Sequence, residues 1–220
     1  VTYKAVIFDL DGTLLDTLED LGNCCNRVLA RLGLPEHKLD SYRYFVGDGR
    51  EKLVERVLPQ DRRDPDSIRQ VVASFDAEYD LHWADRTRPF NGIDELLGEL
   101  SRRSIPFAVV SNKPDRFTRL CVSKLLHHHS FRAVLGARPD VPTKPDPASA
   151  LEAAEIIGVE PRQCVYLGDT DIDMETAVRA GMLPVGALWG FRAASELESA
   201  GAKALISSPI DLVTLLDKAG

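Results

Sequence analysis

Apolar residues along this chain follow two rhythms. Short unbroken runs read as strands: Ala5 to Phe8, Pro106 to Val110, Phe131 to Leu135, Gln163 to Leu167, Leu183 to Leu188 and Ala204 to Ile206. The first has no polar residue, as expected of a parallel strand buried on both faces. Helical spacing fills the intervals, with Ile93, Leu96, Leu97 and Leu100 on one face, then Pro114 to Leu126, Pro147 to Ile157 stopped by Gly158, and Ile172 to Ala180. A last helix follows Ile206. Strands alternating with helices predict an α/β fold with a doubly wound, parallel, Rossmann-like sheet.

The stretch from Asp16 to about Trp83 breaks that alternation. Asp16 to Glu19 reads as a helix start with a capping-box-like pairing, and the helix runs to about Leu32, where Gly33 ends it. Helical sequence follows through Tyr44 and Phe45. A loop, Val46-Gly-Asp-Gly-Arg50, then leads to Leu53, Val54, Val57 and Leu58 at helical spacing, ending at Pro59. Asp64 and Pro65 open another helix with Ile68, Val71, Val72 and Phe75 on its apolar face. The division expected is a catalytic core of residues 1–15 and 88–220 with an all-helical cap, residues 16–87, inserted after the first strand. Such a cap is expected over the strand ends.

Composition narrows the classes. The chain has 220 residues, 44% hydrophobic and 28% charged, the balance of a soluble globular protein with a real core. A net charge of -7 with no basic cluster argues against a nucleic-acid partner. No apolar run approaches the roughly 18 residues of a membrane span. No signal peptide is visible, although a numbering that starts at Val1 rather than Met leaves room for residues removed before it. Cys24, Cys25, Cys121 and Cys164 lack zinc-ligand spacing and read as reduced, packed thiols of a cytoplasmic protein. His127, His128 and His129 follow a helix, where polar or positive groups suit the carbonyl end, rather than forming a metal site.

The candidate chemistry lies at the strand ends. Asp9 ends the first apolar run, where open α/β sheets keep their ligands. Asp11 is two residues on, and Gly12 eases a turn that brings both carboxylates to one point. Either this is an acidic turn or it is a metal-bound nucleophile with an acid/base beside it. Ser111 and Asn112 follow Val110 and offer phosphate donors, or cap the next helix. Lys144, set between prolines in Pro-Thr-Lys-Pro-Asp-Pro, is either a solvated loop lysine or a fixed charge for an anion. In Gly168-Asp-Thr-Asp-Ile-Asp173, Asp169 and Asp173 can share a side, which leaves Asp171 as a helix-start residue. Asp9, Asp11, Asp169 and Asp173 together are untenable without a cation. All-oxygen ligands beside an anionic substrate favour magnesium, Mg2+, over zinc.

DLDGTLLDT, SNK after a strand, TKPDP and GDTDID, in that order, resemble the four motifs of the haloacid dehalogenase superfamily over essentially the whole chain. The inserted helices resemble that family's cap. The resemblance implies that Asp9 is the nucleophile and forms an aspartyl-phosphate. Asp11 would protonate the leaving oxygen and then deprotonate the hydrolytic water. Gly12, Ser111, Asn112 and Lys144 would hold the phosphoryl group, with Lys144 counted among the catalytic residues. Asp9, the backbone carbonyl of Asp11 and Asp169 would bind magnesium, and Asp173 would support them through water or Lys144.

An aspartate at position 11 favours phosphate-ester or anhydride chemistry over dehalogenation. A related sugar-phosphate mutase carries a histidine where Leu21 stands and a cap-loop lysine that Val46-Gly-Asp-Gly-Arg50 lacks, so a mutase is disfavoured. Val-Gly-x-Gly in the cap, Ser-Asn-Lys-Pro, and Gly-Ala-Leu-Trp-Gly near Gly190 resemble phosphoglycolate phosphatases, with Asn91 a departure from the usual proline. The substrate expected is a small phosphate monoester, 2-phosphoglycolate first, with pyrophosphate or a sugar phosphate as the alternative. A catalytically silent phosphate-binding module is the reading from another class. Arg50 is either an exposed helix-start residue or the partner of a substrate carboxylate. The protein is expected as a monomer or homodimer without a membrane or nucleic-acid partner.

Overall fold

The computed structural model describes residues 2–218, and Val1 lies outside them. The chain divides into two compact units, one of residues 1–15 and 89–220 and the other of residues 16–88. It enters with β1 (Ala5–Phe8) and a two-residue β2 (Leu15–Asp16). Helices α1 (Leu18–Arg31), α2 (Tyr42–Phe45), α3 (Arg50–Val57) and α4 (Pro65–His82) make up the second unit. A short β3 (Arg88–Pro89), paired with β2, returns the chain to the first unit.

Within the helical unit, α1 and α3 pack on α4. Phe75 and Tyr79 stack with centroids 5.5 Å apart. Several buried polar groups are satisfied internally: the Tyr42 hydroxyl donates to Asn26 Oδ1 at 2.7 Å, and Asp20 accepts from the backbone N–H groups of Arg86 and Thr87 and from the Thr87 hydroxyl. Glu78, also buried, takes ion pairs from Arg27 and Arg31. Asp64 caps α4 by accepting from the N–H groups of Asp66 and Ser67, as its place before Pro65 predicts. The capping-box reading of Asp16 and Glu19 does not hold. Thr17 is the N-cap of α1, without a side-chain cap bond, and its hydroxyl is buried without a partner, while Glu19 lies near Arg86.

The first unit continues with α5 (Ile93–Arg102), β4 (Phe107–Pro114), α6 (Asp115–Leu125), β5 (Ala133–Ala137) and α7 (Ala148–Ile157). It ends with β6 (Cys164–Gly168), α8 (Asp171–Ala180), β7 (Leu183–Ala187), α9 (Ala194–Ser199), β8 (Ala204–Ile206) and α10 (Asp211–Lys218). Among the described residues the main sheet has six parallel strands in the order β5-β4-β1-β6-β7-β8, the doubly wound arrangement that the alternation predicts. Every residue of β1 is fully buried. Ala5 and Ile7 face α7 and α8, where Ala150, Ala153, Ala154 and Ala177 have side chains small enough to bring the helices close. Val6 and Phe8 point to the opposite face, where the Phe8 ring meets Phe107 edge-on at 6.3 Å.

Strand β4 departs from expectation by running through Ser111, Asn112 and Lys113 instead of ending before them. Val110 pairs with Leu135 and Pro114 with Ala137, so four steps along β4 match two along β5. The surplus residues form an irregularity at Ser111 to Lys113, where the register against β5 shifts. Strand β5 begins two residues later than its apolar run, and α9 carries no apolar periodicity long enough to announce it. Among the described residues no helix is long and apolar enough to cross a membrane.

Candidate active site

Asp9 and Asp169 follow directly on β1 and β6, which pair in parallel with Phe8 opposite Leu167. Two neighbouring parallel strands therefore end together, and their next acidic residues open on one edge of the sheet. The Asp9 N–H donates to the Leu167 carbonyl at 2.9 Å, which carries the register one residue past the strand. Both aspartates are buried. Gly12 has φ +94°, and a Cβ there would lie 2.3 Å from Asp169 Oδ2, so turn and close approach both require glycine. Thr13 Oγ1 donates to Asp169 Oδ1 at 2.7 Å, and the Phe191 N–H donates to Oδ2 at 2.8 Å. Trp189 fastens the same loop by donating from Nε1 to the Thr13 carbonyl at 2.9 Å.

Lys144 binds the other acids together. Its ammonium donates to Asp9 Oδ1 at 2.5 Å, Asp173 Oδ1 at 2.7 Å and the Val110 carbonyl at 3.2 Å. Asn112 holds the Lys144 backbone from both sides: its Nδ2 donates to the carbonyl at 3.0 Å and its Oδ1 accepts from the N–H at 2.8 Å. Asp173 is fixed by the cap of α8, where Thr170 donates from its hydroxyl to Oδ2 at 2.7 Å and accepts from the Asp173 N–H. Asp171 is the first residue of that helix.

Burial in this cluster is electrostatically expensive. Burial lifts the Asp9 carboxyl well above the usual range, opposed by Lys144 and reinforced by Asp173 and Asp169. Burial and then Asp173 raise Asp169 to about 7, against the bonds from Thr13 and Phe191. Burial pulls the Lys144 ammonium down, but Asp173 and Asp9 outweigh it and hold the charge more firmly than in water. Oxygens of Asp9, Asp169 and Asp173 all lie within 4.8 Å of one another. Three such carboxylates against one ammonium leave a negative surplus, and a donor set made only of oxygen fits a hard divalent cation. The protein already engages both oxygens of Asp169 and of Asp173 and one oxygen of Asp9, so hydrogen bonding alone does not rank the three as ligands.

Two other residues singled out by sequence sit differently. Ser111 accepts at Oγ from the Lys113 N–H at 3.2 Å, in the irregular part of β4. Arg50 belongs to the helical unit, where its guanidinium pairs with Asp76 and with Glu51. Lys113 has no role in the sequence reading, yet its ammonium lies 3.0 Å from Asp11 Oδ1 and 3.2 Å from Oδ2. Thr13, Thr170 and the Trp189–Phe191 loop were likewise unassigned. Thr13 and Lys113 lie inside the motif strings DLDGT and SNK, so their positions were legible but their partners, far along the chain, were not.

Comparison with known proteins agrees with this geometry. A family model described as haloacid dehalogenase-like hydrolase matches residues 6–187. The phosphoglycolate phosphatase of Aquifex aeolicus is 33% identical over 214 residues, covering 97% of each chain. That of Pseudomonas putida is 34% identical over 193 residues, 86% of this chain and 70% of its own. A crystal structure from Lactobacillus delbrueckii subsp. bulgaricus superposes with a TM-score of 0.92 at 29% identity, covering 98% of this chain and 99% of that one. With the acid cluster at the ends of β1 and β6 and a family match across most of its length, the chain belongs to the haloacid dehalogenase-like hydrolases.

Proposed function

We propose that this hydrolase is a magnesium-dependent phosphatase acting on a small anionic phosphate monoester, 2-phosphoglycolate first, through a phosphorylated Asp9. The observation that carries the reading is the buried Asp9 carboxylate, held by the Lys144 ammonium at 2.5 Å within reach of Asp169. The relatives from Aquifex and Pseudomonas bear the name phosphoglycolate phosphatase, which favours that substrate. Asp9, Asp169 and the backbone carbonyl of Asp11 would hold the magnesium, with Asp173 supporting them through Lys144. When bound, the cation neutralises phosphate and nucleophile so that the two anions can meet.

The chain's own residues then divide the reaction. An Asp9 oxygen bonds to phosphorus while the ester P–O bond breaks, and the leaving oxygen keeps that electron pair and takes a proton from Asp11. Water next attacks the same phosphorus and gives its proton to Asp11, while the P–O bond to Asp9 breaks and returns the free carboxylate. Lys144, Gly12 and Ser111 hold the phosphoryl oxygens, and Asn112 acts through the Lys144 backbone it clamps. Arg50 is the candidate partner for the substrate carboxylate, in exchange for its contacts with Asp76 and Glu51. Four free, buried cysteines suit a reducing compartment, the cytoplasm.

A phosphate-release panel with and without magnesium tests the reading. Release from 2-phosphoglycolate that needs the metal and vanishes in Asp9→Asn supports it. Release across many esters or from pyrophosphate changes the substrate but keeps the chemistry, whereas silence on every substrate favours a binding module. Undiminished turnover by Asp9→Asn overturns the mechanism. In the same panel, Arg50→Met should raise KM for phosphoglycolate far more than for an uncharged ester, and equal effects would remove Arg50 from the site.

A further inference from the structure

Two ammonium groups are buried among the strand ends, and the chemistry above uses only Lys144. The side chain of Lys113 is 4% exposed and that of its partner Asp11 is 12% exposed. Both Asp11 oxygens lie within hydrogen-bond distance of Lys113 Nζ, so the ammonium restrains the carboxyl against rotation. The nucleophile and its neighbouring acid thus have separate cations, Lys144 for Asp9 and Lys113 for Asp11. A buried ion pair contributes little to net stability, because desolvating both charges costs about as much as their attraction returns. Lys113 also lies in the irregular stretch between Val110 and Pro114, where β4 shifts register against β5.

We propose that Lys113 is a positioning residue for proton transfer: its ammonium, which reaches both Asp11 oxygens, keeps its hold on one of them while the other carries the proton to the leaving group. The proposal rests on Asp11 being the acid of the first step, as set out above. In that step the Asp9–phosphorus bond forms and the ester P–O bond breaks. The proton moves from Asp11 to the departing oxygen, and Lys113 itself neither gains nor loses a proton. An alkoxide cannot leave without that proton, whereas a nitrophenolate leaves as an anion. Losing the grip should therefore penalise alkyl esters selectively.

The experiment compares kcat/KM for 2-phosphoglycolate and p-nitrophenyl phosphate in wild type, Lys113→Met, Lys113→Arg, Asp11→Asn and the double variant Lys113→Met/Asp11→Asn. This ratio reports events up to and including transfer of phosphorus to Asp9. Lys113→Met should lower it roughly 30-fold or more for the alkyl ester, part of what a general acid contributes, and by less than about threefold for the nitrophenyl ester. Lys113→Arg should restore most of the loss. In the Asp11→Asn background the Lys113 change should cost less than about twofold, since a grip on a group that no longer works has nothing to convey.

Equal losses on both esters, or losses that multiply in the double variant, overturn the proposal. Asp11→Asn showing no ester selectivity overturns the acid assignment and the proposal with it. Selectivity in Asp11→Asn but not in Lys113→Met overturns the proposal alone. Lys113→Gln, which keeps a donor without the charge, serves as the second variant if the methionine protein does not fold, and should penalise the alkyl ester selectively but by a smaller factor; equal losses on both esters in it overturn the proposal.

Discussion

At the scale of single residues, the site is governed by what burial does to charge. Asp9 and Asp169 hold protons more tightly in the folded, metal-free protein than in an unfolded chain, where a carboxyl titrates near about 4. Between that value and about 7 for Asp169, the folded state therefore binds more protons than the unfolded state. Stability from these groups is full below the unfolded value and falls as pH rises through the folded one. Metal-free protein should melt at a lower temperature at pH 8 than at pH 6, by at least about 2 °C, roughly what 1 kcal/mol produces in a domain of this size. Magnesium should recover more at pH 8, where the carboxylates are already free of protons. Thermal scans at both pH values, with and without magnesium, check the sign, and a metal-free melting temperature that rises with pH would contradict it.

At the scale of elements, two local devices place the acids, and they differ in how legible they were. The start of α8 was legible from sequence in its position, with Asp171 as its first residue, but the cap itself, Thr170, was not assigned. The structure adds that this cap holds a site residue, with Thr170 engaging Asp173 Oδ2 through its hydroxyl and its backbone N–H. Thr170→Ala should cost about 1 kcal/mol of stability, the usual loss for a buried cap. It should also weaken magnesium binding measured by calorimetry, since Asp173 would no longer be held opposite Lys144. Unchanged metal affinity would show that the cap serves the helix alone. The register shift of β4 was not legible, because the surplus is defined only against β5, which begins some twenty residues further along the chain. The start of α1 makes the same point: the sequence suggested a capping pair of Asp16 and Glu19, yet Thr17 is the N-cap, Glu19 lies by Arg86 and the Thr17 hydroxyl is buried without a partner.

At the scale of the whole molecule, both units bury their cysteines: Cys24 and Cys25 in the helical unit, Cys121 and Cys164 around the sheet. Burial raises the thiols of Cys24, Cys121 and Cys164 to about 11 and that of Cys25 further still. A thiol-disulfide reagent at pH 8 should find almost no reactive group in the native protein and all four after denaturation. Rapid reaction of one or two thiols before unfolding would show that their unit opens by itself. By itself the sequence determined the alternation of strand and helix, the helical insertion, and the acidic residues at the ends of two strands, because periodicity and strand termination are local properties of a chain. Tertiary structure decided the order of the strands and the partner of each buried charge, giving Lys144 to Asp9 and Asp173, Lys113 to Asp11, and Thr13 and Phe191 to Asp169. Those pairings join residues far apart along the chain, and only the packed sheet brings them within a few ångströms of each other.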